Sequence, residues 1–142
     1  MLYAAYGSNL SIKQMTKRCP DAKIVGKGII KDYILVFRTQ ATIEKHKGAK
    51  VPVLVWDISK KDECSLDRYE GFPTYYTKEL IDVRMTNLDG KKPKKIQSIA
   101  YIMNEGPKKA SPTWSYYDAI AEGYYTFGFD INGLLEAVAD AV

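Results

Sequence analysis

Apolar residues in this chain fall mostly in short runs separated by polar breaks, the pattern of strands rather than long helices. Leu2 to Ala5 makes a first strand that runs into Tyr6-Gly7-Ser8-Asn9-Leu10. Lys23 to Ile30 and Tyr33 to Phe37 form two further strand-like runs, and Thr42-Ile43 lies in a weaker one. Val51 to Ile58 is rich in β-branched residues. Tyr76 to Met85 alternates polar and apolar positions. A turn at Asn87 to Gly90 connects it to a partner strand from Ile96 to Met103.

Four segments have helical signals instead. Ser11 is a candidate N-cap for a short helix with Ile12, Met15 and Cys19 on one face, which Pro20 stops. Ser59 caps a second helix running to about Tyr69, with Asp62 completing an approximate capping box and Gly71 just past the end. Two more are expected at about Thr113 to Phe127 and Asn132 to Ala141. The elements do not alternate as regular βαβ units. The expected fold is therefore α+β: a small closed or strongly curved, mixed but mostly antiparallel sheet with flanking helices. Closure also hides the edges of many short strands.

Length adds that the 142 residues form one domain, spanning 1–142, with enough chain to bury a core. The net charge of +4 is mild. Its lysines peak at Lys91, Lys92, Lys94 and Lys95, which read as a solvated hairpin tip rather than a nucleic-acid surface. Cys19 and Cys64 form no C-x-x-C pair, so neither a disulfide scaffold nor a zinc site is expected. No apolar run suggests a membrane span, and the N-terminus lacks signal-peptide character. The expected location is the cytoplasm, with the chain a monomer or homodimer.

Candidate chemistry narrows by elimination. The single histidine, His46, lies in the hydrophilic stretch Glu44-Lys45-His46-Lys47-Gly48, which reads as an exposed turn. No metal-ligand spacing and no glycine-rich nucleotide motif occurs, so neither metal nor cofactor is expected. Two places remain. At Tyr6-Gly7-Ser8-Asn9-Leu10 a strand enters Gly-Ser-Asn and then a helix start. Successive backbone N–H groups there can form an anion-binding nest, though the same residues also make ordinary turns. Glu70 sits at a helix C-terminus, where a negative charge meets the negative end of the helix dipole. In a pocket ringed by tyrosines its pKa would rise toward that of a useful general base; on the surface it would be a solvated carboxylate. The chain has 11 tyrosines, enough for both core and pocket.

Together these segments resemble the gamma-glutamyl cyclotransferase-like family. The likeness rests on Tyr3-Ala4-Ala5-Tyr6-Gly7-Ser8-Asn9-Leu10 and on Leu66-Asp67-Arg68-Tyr69-Glu70-Gly71. It extends to Val53-Leu54-Val55-Trp56, to Asp32-Tyr33 with Leu35 and Phe37, and more weakly to Pro112, Tyr116, Ile120 and Gly123. Where many members carry Gly-Gly before an Ala-Thr-Ile strand, this chain has Thr39-Gln40 before Ala41-Thr42-Ile43.

The resemblance implies a small β-barrel and a cofactor-independent ring closure. A gamma-glutamyl amino acid or amine folds back, its α-amine attacks its own γ-carbonyl, and 5-oxoproline and a free amine leave. By the same resemblance Glu70 is the acid/base. Tyr6, Gly7, Ser8, Asn9, Leu10 and Tyr116 bind the substrate, the amides of Gly7 to Leu10 facing its carboxylate and carbonyl. Two other readings stay open: a non-catalytic binding module for a small anionic metabolite, and an interaction protein using its aromatic surface and lysines.

Overall fold

A computed structural model describes residues 1–142. Its elements in chain order are β1 (Leu2–Ala5), a 3₁₀ turn (Ser8–Leu10), α1 (Ile12–Arg18), β2 (Lys23–Arg38), β3 (Gln40–Asp57), α2 (Lys60–Glu70), β4 (Tyr76–Thr86), β5 (Lys94–Met103), α3 (Trp114–Phe127) and α4 (Asn132–Asp140). The five strands close into a barrel in the order β1-β3-β2-β4-β5. Every pairing is antiparallel except that of β1 with β5, where Tyr3 lies beside Ile99 in parallel. The mixed, mostly antiparallel barrel expected from the sequence is thus the observed fold.

Closure depends on a narrow seam. β2 meets β4 only through Lys27↔Thr86, Gly28↔Met85 and Ile29↔Arg84. A Cβ on Gly28 would lie 2.7 Å from the Arg84 carbonyl oxygen, and one on Gly26 only 2.2 Å from that of Thr86. Neither approach leaves room for a side chain, so these glycines let the strands cross.

The two long strands correct the segmentation expected from the sequence. The separate runs at 23–30 and 33–37 are one strand, β2, and the stretch from 42 to 58 is largely one strand, β3. The register jumps from Lys31↔Lys50 to Tyr33↔Lys45, leaving Asp32 opposite the unpaired His46–Ala49. This is a bulge, not a chain reversal. Gly48 at φ 86° donates its N–H to Asp32 Oδ1 at 2.9 Å, and Asp32 itself has φ 60°. His46 is exposed there, on a bulged strand rather than in a turn.

The helix signals translate closely. Ser59 and Asp62 form a reciprocal capping box at α2, and Gly71 ends that helix in the left-handed conformation with φ 65°. Thr113 caps α3 through the Tyr116 N–H. One apolar core, including Val53, Val55, Val83 and Ala100, fills the space enclosed by sheet and helices. Burial of this kind contributes roughly 25 cal/mol per Å² of apolar surface and drives closure.

Candidate active site

The site begins where β1 ends. β1 is held by pairing with β3 through Tyr3↔Trp56, Ala4↔Val55 and Ala5↔Leu54. Beyond it the chain tightens into the 3₁₀ turn, closed by Leu10 N–H to Gly7 O and Ser11 N–H to Ser8 O, both 3.0 Å. The amides of Gly7, Ser8 and Asn9 precede the first bond of that turn and are not used in closing it. Ser11 then caps α1, accepting from the Gln14 N–H at 3.3 Å. From behind, α3 presses on the loop: a Cβ on Gly123 would meet Leu10 Cβ at 2.4 Å.

Leu10 departs from its expected part. Its N–H bonds to Gly7 O in closing the turn, and its side chain is buried in the core. The loop's pocket-facing surface is made by Gly7, Ser8 and Asn9, which line a narrow pocket while Leu10 does not.

The opposite rim is the end of α2. Glu70 is the last helical residue, and Phe72 N–H bonds to Asp67 O at 2.9 Å as the chain leaves the helix. Asp67 fixes this end to the barrel. Its carboxylate accepts from Tyr101 Oη at 2.6 Å and pairs with Lys78 Nζ at 3.0 Å, while Lys78 also reaches Glu63 at 2.8 Å. Leu66 is fully buried beside it. The Leu66-Asp67 pair therefore anchors the helix end from which Glu70 projects.

Glu70 lines the same pocket as Gly7, Ser8 and Asn9. Five tyrosines, Tyr3, Tyr6, Tyr76, Tyr101 and Tyr116, complete its wall with Ala41. Their hydroxyls are fixed. Tyr6 donates to Tyr101 O at 2.5 Å and Tyr76 to Ala41 O at 2.7 Å. Tyr116 Oη accepts from Ala41 N–H at 3.0 Å, and Tyr3 Oη accepts from Asn9 Nδ2 at 3.0 Å. Burial pushes the pKa of each of these phenols up, so they stand as neutral O–H groups at physiological pH.

The same burial pushes the Glu70 carboxyl up to about 7, with the Arg18 guanidinium pulling the other way. A carboxyl with that pKa takes and returns a proton near neutrality. No group of three or more histidine, cysteine or carboxylate side chains gathers to hold a metal ion, and no helix is long and apolar enough to cross a membrane.

The sequence had singled out Tyr6, Gly7, Ser8, Asn9, Glu70 and Tyr116, and the structure brings all six to one pocket. It had not singled out Tyr3, Ala41, Tyr76 or Tyr101 as wall residues, nor Arg18 beside them. Alternation along β4 and β5 marks Tyr76 and Tyr101 as inward or buried, but only barrel closure turns them toward Glu70. Arg18 had a faint signal as a basic residue in the last turn of α1.

Residues 3–126 match the model of the family described as gamma-glutamyl cyclotransferase, AIG2-like. This chain belongs to that family. Its curated relatives include human gamma-glutamylcyclotransferase, 30% identical over 135 residues, covering 86% of this chain and 69% of that protein. A solved gamma-glutamyl cyclotransferase superposes with a TM-score of 0.80 at 27% identity, covering 99% of this chain and 85% of the other. YkqA from Bacillus subtilis shares the fold with a TM-score of 0.78 at 16% identity, over 99% of this chain and 54% of that one. The gamma-glutamyl cyclotransferase-like barrel therefore spans essentially the whole chain, and the family match includes both rims of the pocket.

Proposed function

We propose that this chain is a single-domain, cofactor-independent enzyme that cyclises a gamma-glutamyl amino acid or amine to 5-oxoproline and releases the free amine. The observation that carries this reading is the meeting of Glu70 with the Gly7–Asn9 loop in one tyrosine-walled pocket. Membership of the gamma-glutamyl cyclotransferase, AIG2-like family supports the reaction type.

The steps follow from the residues. The loop amides hold the substrate's carboxylate and γ-carbonyl region, folding the gamma-glutamyl group so that its amine lies over the carbonyl carbon. The amine nitrogen attacks that carbon, forming the lactam C–N bond while the carbonyl π electrons move to oxygen. Backbone N–H groups and neutral tyrosine hydroxyls stabilise the oxyanion. Glu70, as carboxylate, takes a proton from the attacking amine. It returns that proton to the departing nitrogen as the oxyanion collapses and the original amide C–N bond breaks. The substrate supplies every atom of both products. Glu70 starts the cycle unprotonated, so a pKa of about 7 places the acid limb of activity near neutral pH.

The test is 5-oxoproline release across a panel of gamma-glutamyl amino acids and amines, with Glu70→Gln in parallel. Release by the wild type and its loss in the variant, with substrate still bound, is the expected result. A folded wild-type protein silent across the panel overturns the catalytic reading. If the pocket still bound small carboxylates, the anion-binding alternative would replace it.

A further inference from the structure

Arg18 lies beside the pocket, where the amide loop, α1 and the end of α2 meet. From the C-terminal end of α1, its Nη1 donates to Asn9 Oδ1 at 2.5 Å and its Nη2 to Gln14 Oε1 at 3.0 Å. Its guanidinium carbon sits 3.6 Å from the centre of the Tyr69 ring. Tyr69 immediately precedes Glu70, and its hydroxyl is 2.9 Å from Ser8 Oγ. The other end of the Asn9 carboxamide donates to Tyr3 Oη. Ser8 and Asn9 being neighbours, these contacts close a ring through the amide loop, α1 and the last turn of α2.

We propose that Arg18 is a positioning residue that fixes the Asn9 end of the amide loop against the Tyr69–Glu70 end of α2. The inference deepens the cyclotransferase reading of this pocket and rests on it for its effect on rate. A planar guanidinium can grip two side-chain carbonyls with its edge and stack an aromatic ring on its face. An ammonium in the same place keeps the charge and loses that fork. With both edge nitrogens and one face engaged, Arg18 acts on the reaction through the loop and the helix end.

Its charge has a second effect. The groups facing Glu70 are Tyr3 on β1, Tyr6 on the loop, Tyr76 on β4, Tyr101 on β5, Tyr116 on α3, Tyr69 on its own helix and Arg18 on α1. The five wall tyrosines are held neutral by burial. Arg18 is the cation that offsets burial at Glu70. Geometry and charge are therefore separable by substitution.

The experiment compares wild type, Arg18→Lys and Arg18→Gln by the pH dependence of kcat for 5-oxoproline release and by carbon-13 NMR titration of Glu70. The amide nitrogen-15 shifts of Gly7, Ser8 and Asn9 are read in the same samples. Both variants are expected to lose roughly ten- to hundredfold in plateau kcat, the cost of a displaced catalytic element. Arg18→Gln moves the acid limb and the Glu70 titration to higher pH, while Arg18→Lys leaves both in place. A wild-type plateau in Arg18→Lys overturns the proposal, as do Gly7–Asn9 amide shifts unchanged in both variants.

Should Arg18→Gln fail to fold, Asn9→Ala removes the gripped group and keeps the cation. It should lower the plateau without moving the limb, and an unchanged plateau counts against the proposal. If wild type releases no 5-oxoproline, the cyclotransferase reading falls and the shifts alone decide. Displaced Gly7–Asn9 amides in Arg18→Lys support the positioning geometry, and unchanged ones refute it.

Discussion

Tyr116 holds the backbone of Ala41: its hydroxyl accepts the Ala41 N–H at 3.0 Å, on the pocket side of β3. The carbonyl of the same residue is held by Tyr76 at 2.7 Å. One short stretch of strand is thus pinned from two directions by phenols that also wall the site. Tyr116→Phe keeps the ring and leaves the Ala41 N–H without its partner. The expected cost is about 1–2 kcal/mol of stability, measurable by urea unfolding. Activity should fall, since the oxygen removed lies at the pocket wall.

Gly7 offers a test of pocket width. A Cβ there would sit 3.3 Å from Tyr116 Oη and 3.6 Å from Ala41 Cβ. Alanine there places a methyl group at the pocket against the Tyr116 hydroxyl. Gly7→Ala should raise KM for gamma-glutamyl substrates. An unaltered KM would contradict that assignment.

The Gly123 contact is far less forgiving. A Cβ on α3 would come within 2.4 Å of Leu10 Cβ and 3.0 Å of Leu10 O, forcing the helix away from the amide loop. Overpacking of a buried contact costs about 1–3 kcal/mol, and here the neighbour is partly backbone. Gly123→Ala should lose stability on that scale in denaturant unfolding. It should also slow turnover, because the loop that Leu10 supports carries the pocket-lining residues Gly7, Ser8 and Asn9.

Glu70 couples activity to stability through pH. Its folded pKa of about 7 lies above the ordinary glutamate value of 4.5, so the folded state binds this proton more tightly than the unfolded state does. The resulting stabilisation is complete below about pH 4.5 and is lost as pH rises through about 7. Glu70→Gln removes the charge whose burial is unfavourable. It should therefore gain stability relative to wild type as pH rises from 5 to 8, by about 1–3 kcal/mol at the upper end. Melting curves of both proteins at several pH values check the sign. A difference independent of pH would mean that Glu70 titrates alike in the folded and unfolded chain.

Much of this is legible in the sequence. Helix caps are local chemistry, so Ser11, Ser59, Asp62 and Gly71 mark their helices from residue type and spacing. The two rims of the pocket are also visible, Gly7-Ser8-Asn9 as a candidate nest of backbone amides and Glu70 as a carboxylate at the unfavourable end of a helix dipole. The long strands were less visible. A polar run such as Glu44–Lys50 looks like a turn when only burial periodicity is read, yet strand pairing continues through it around a bulge whose geometry depends on Asp32 and Gly48. Leu10 was misassigned for a similar reason: position in a motif does not reveal that its N–H bonds the Gly7 carbonyl three residues back. Arg18 and Tyr69 escaped because their effect arises from a contact between separate helices.

The narrow join between β2 and β4 has a mechanical consequence. β2–β3 and β4–β5 are each long, well-zipped hairpins, whereas between them lie three residue pairs on one side and β1 as a four-residue strip on the other. The molecule resembles a clasp of two hinged leaves. Ala41 belongs to one leaf, Tyr76 and Tyr101 to the other, and the pocket exists only while the clasp is shut. A ligand bridging the leaves latches them together, so occupancy of the pocket and resistance to unzipping rise as one quantity.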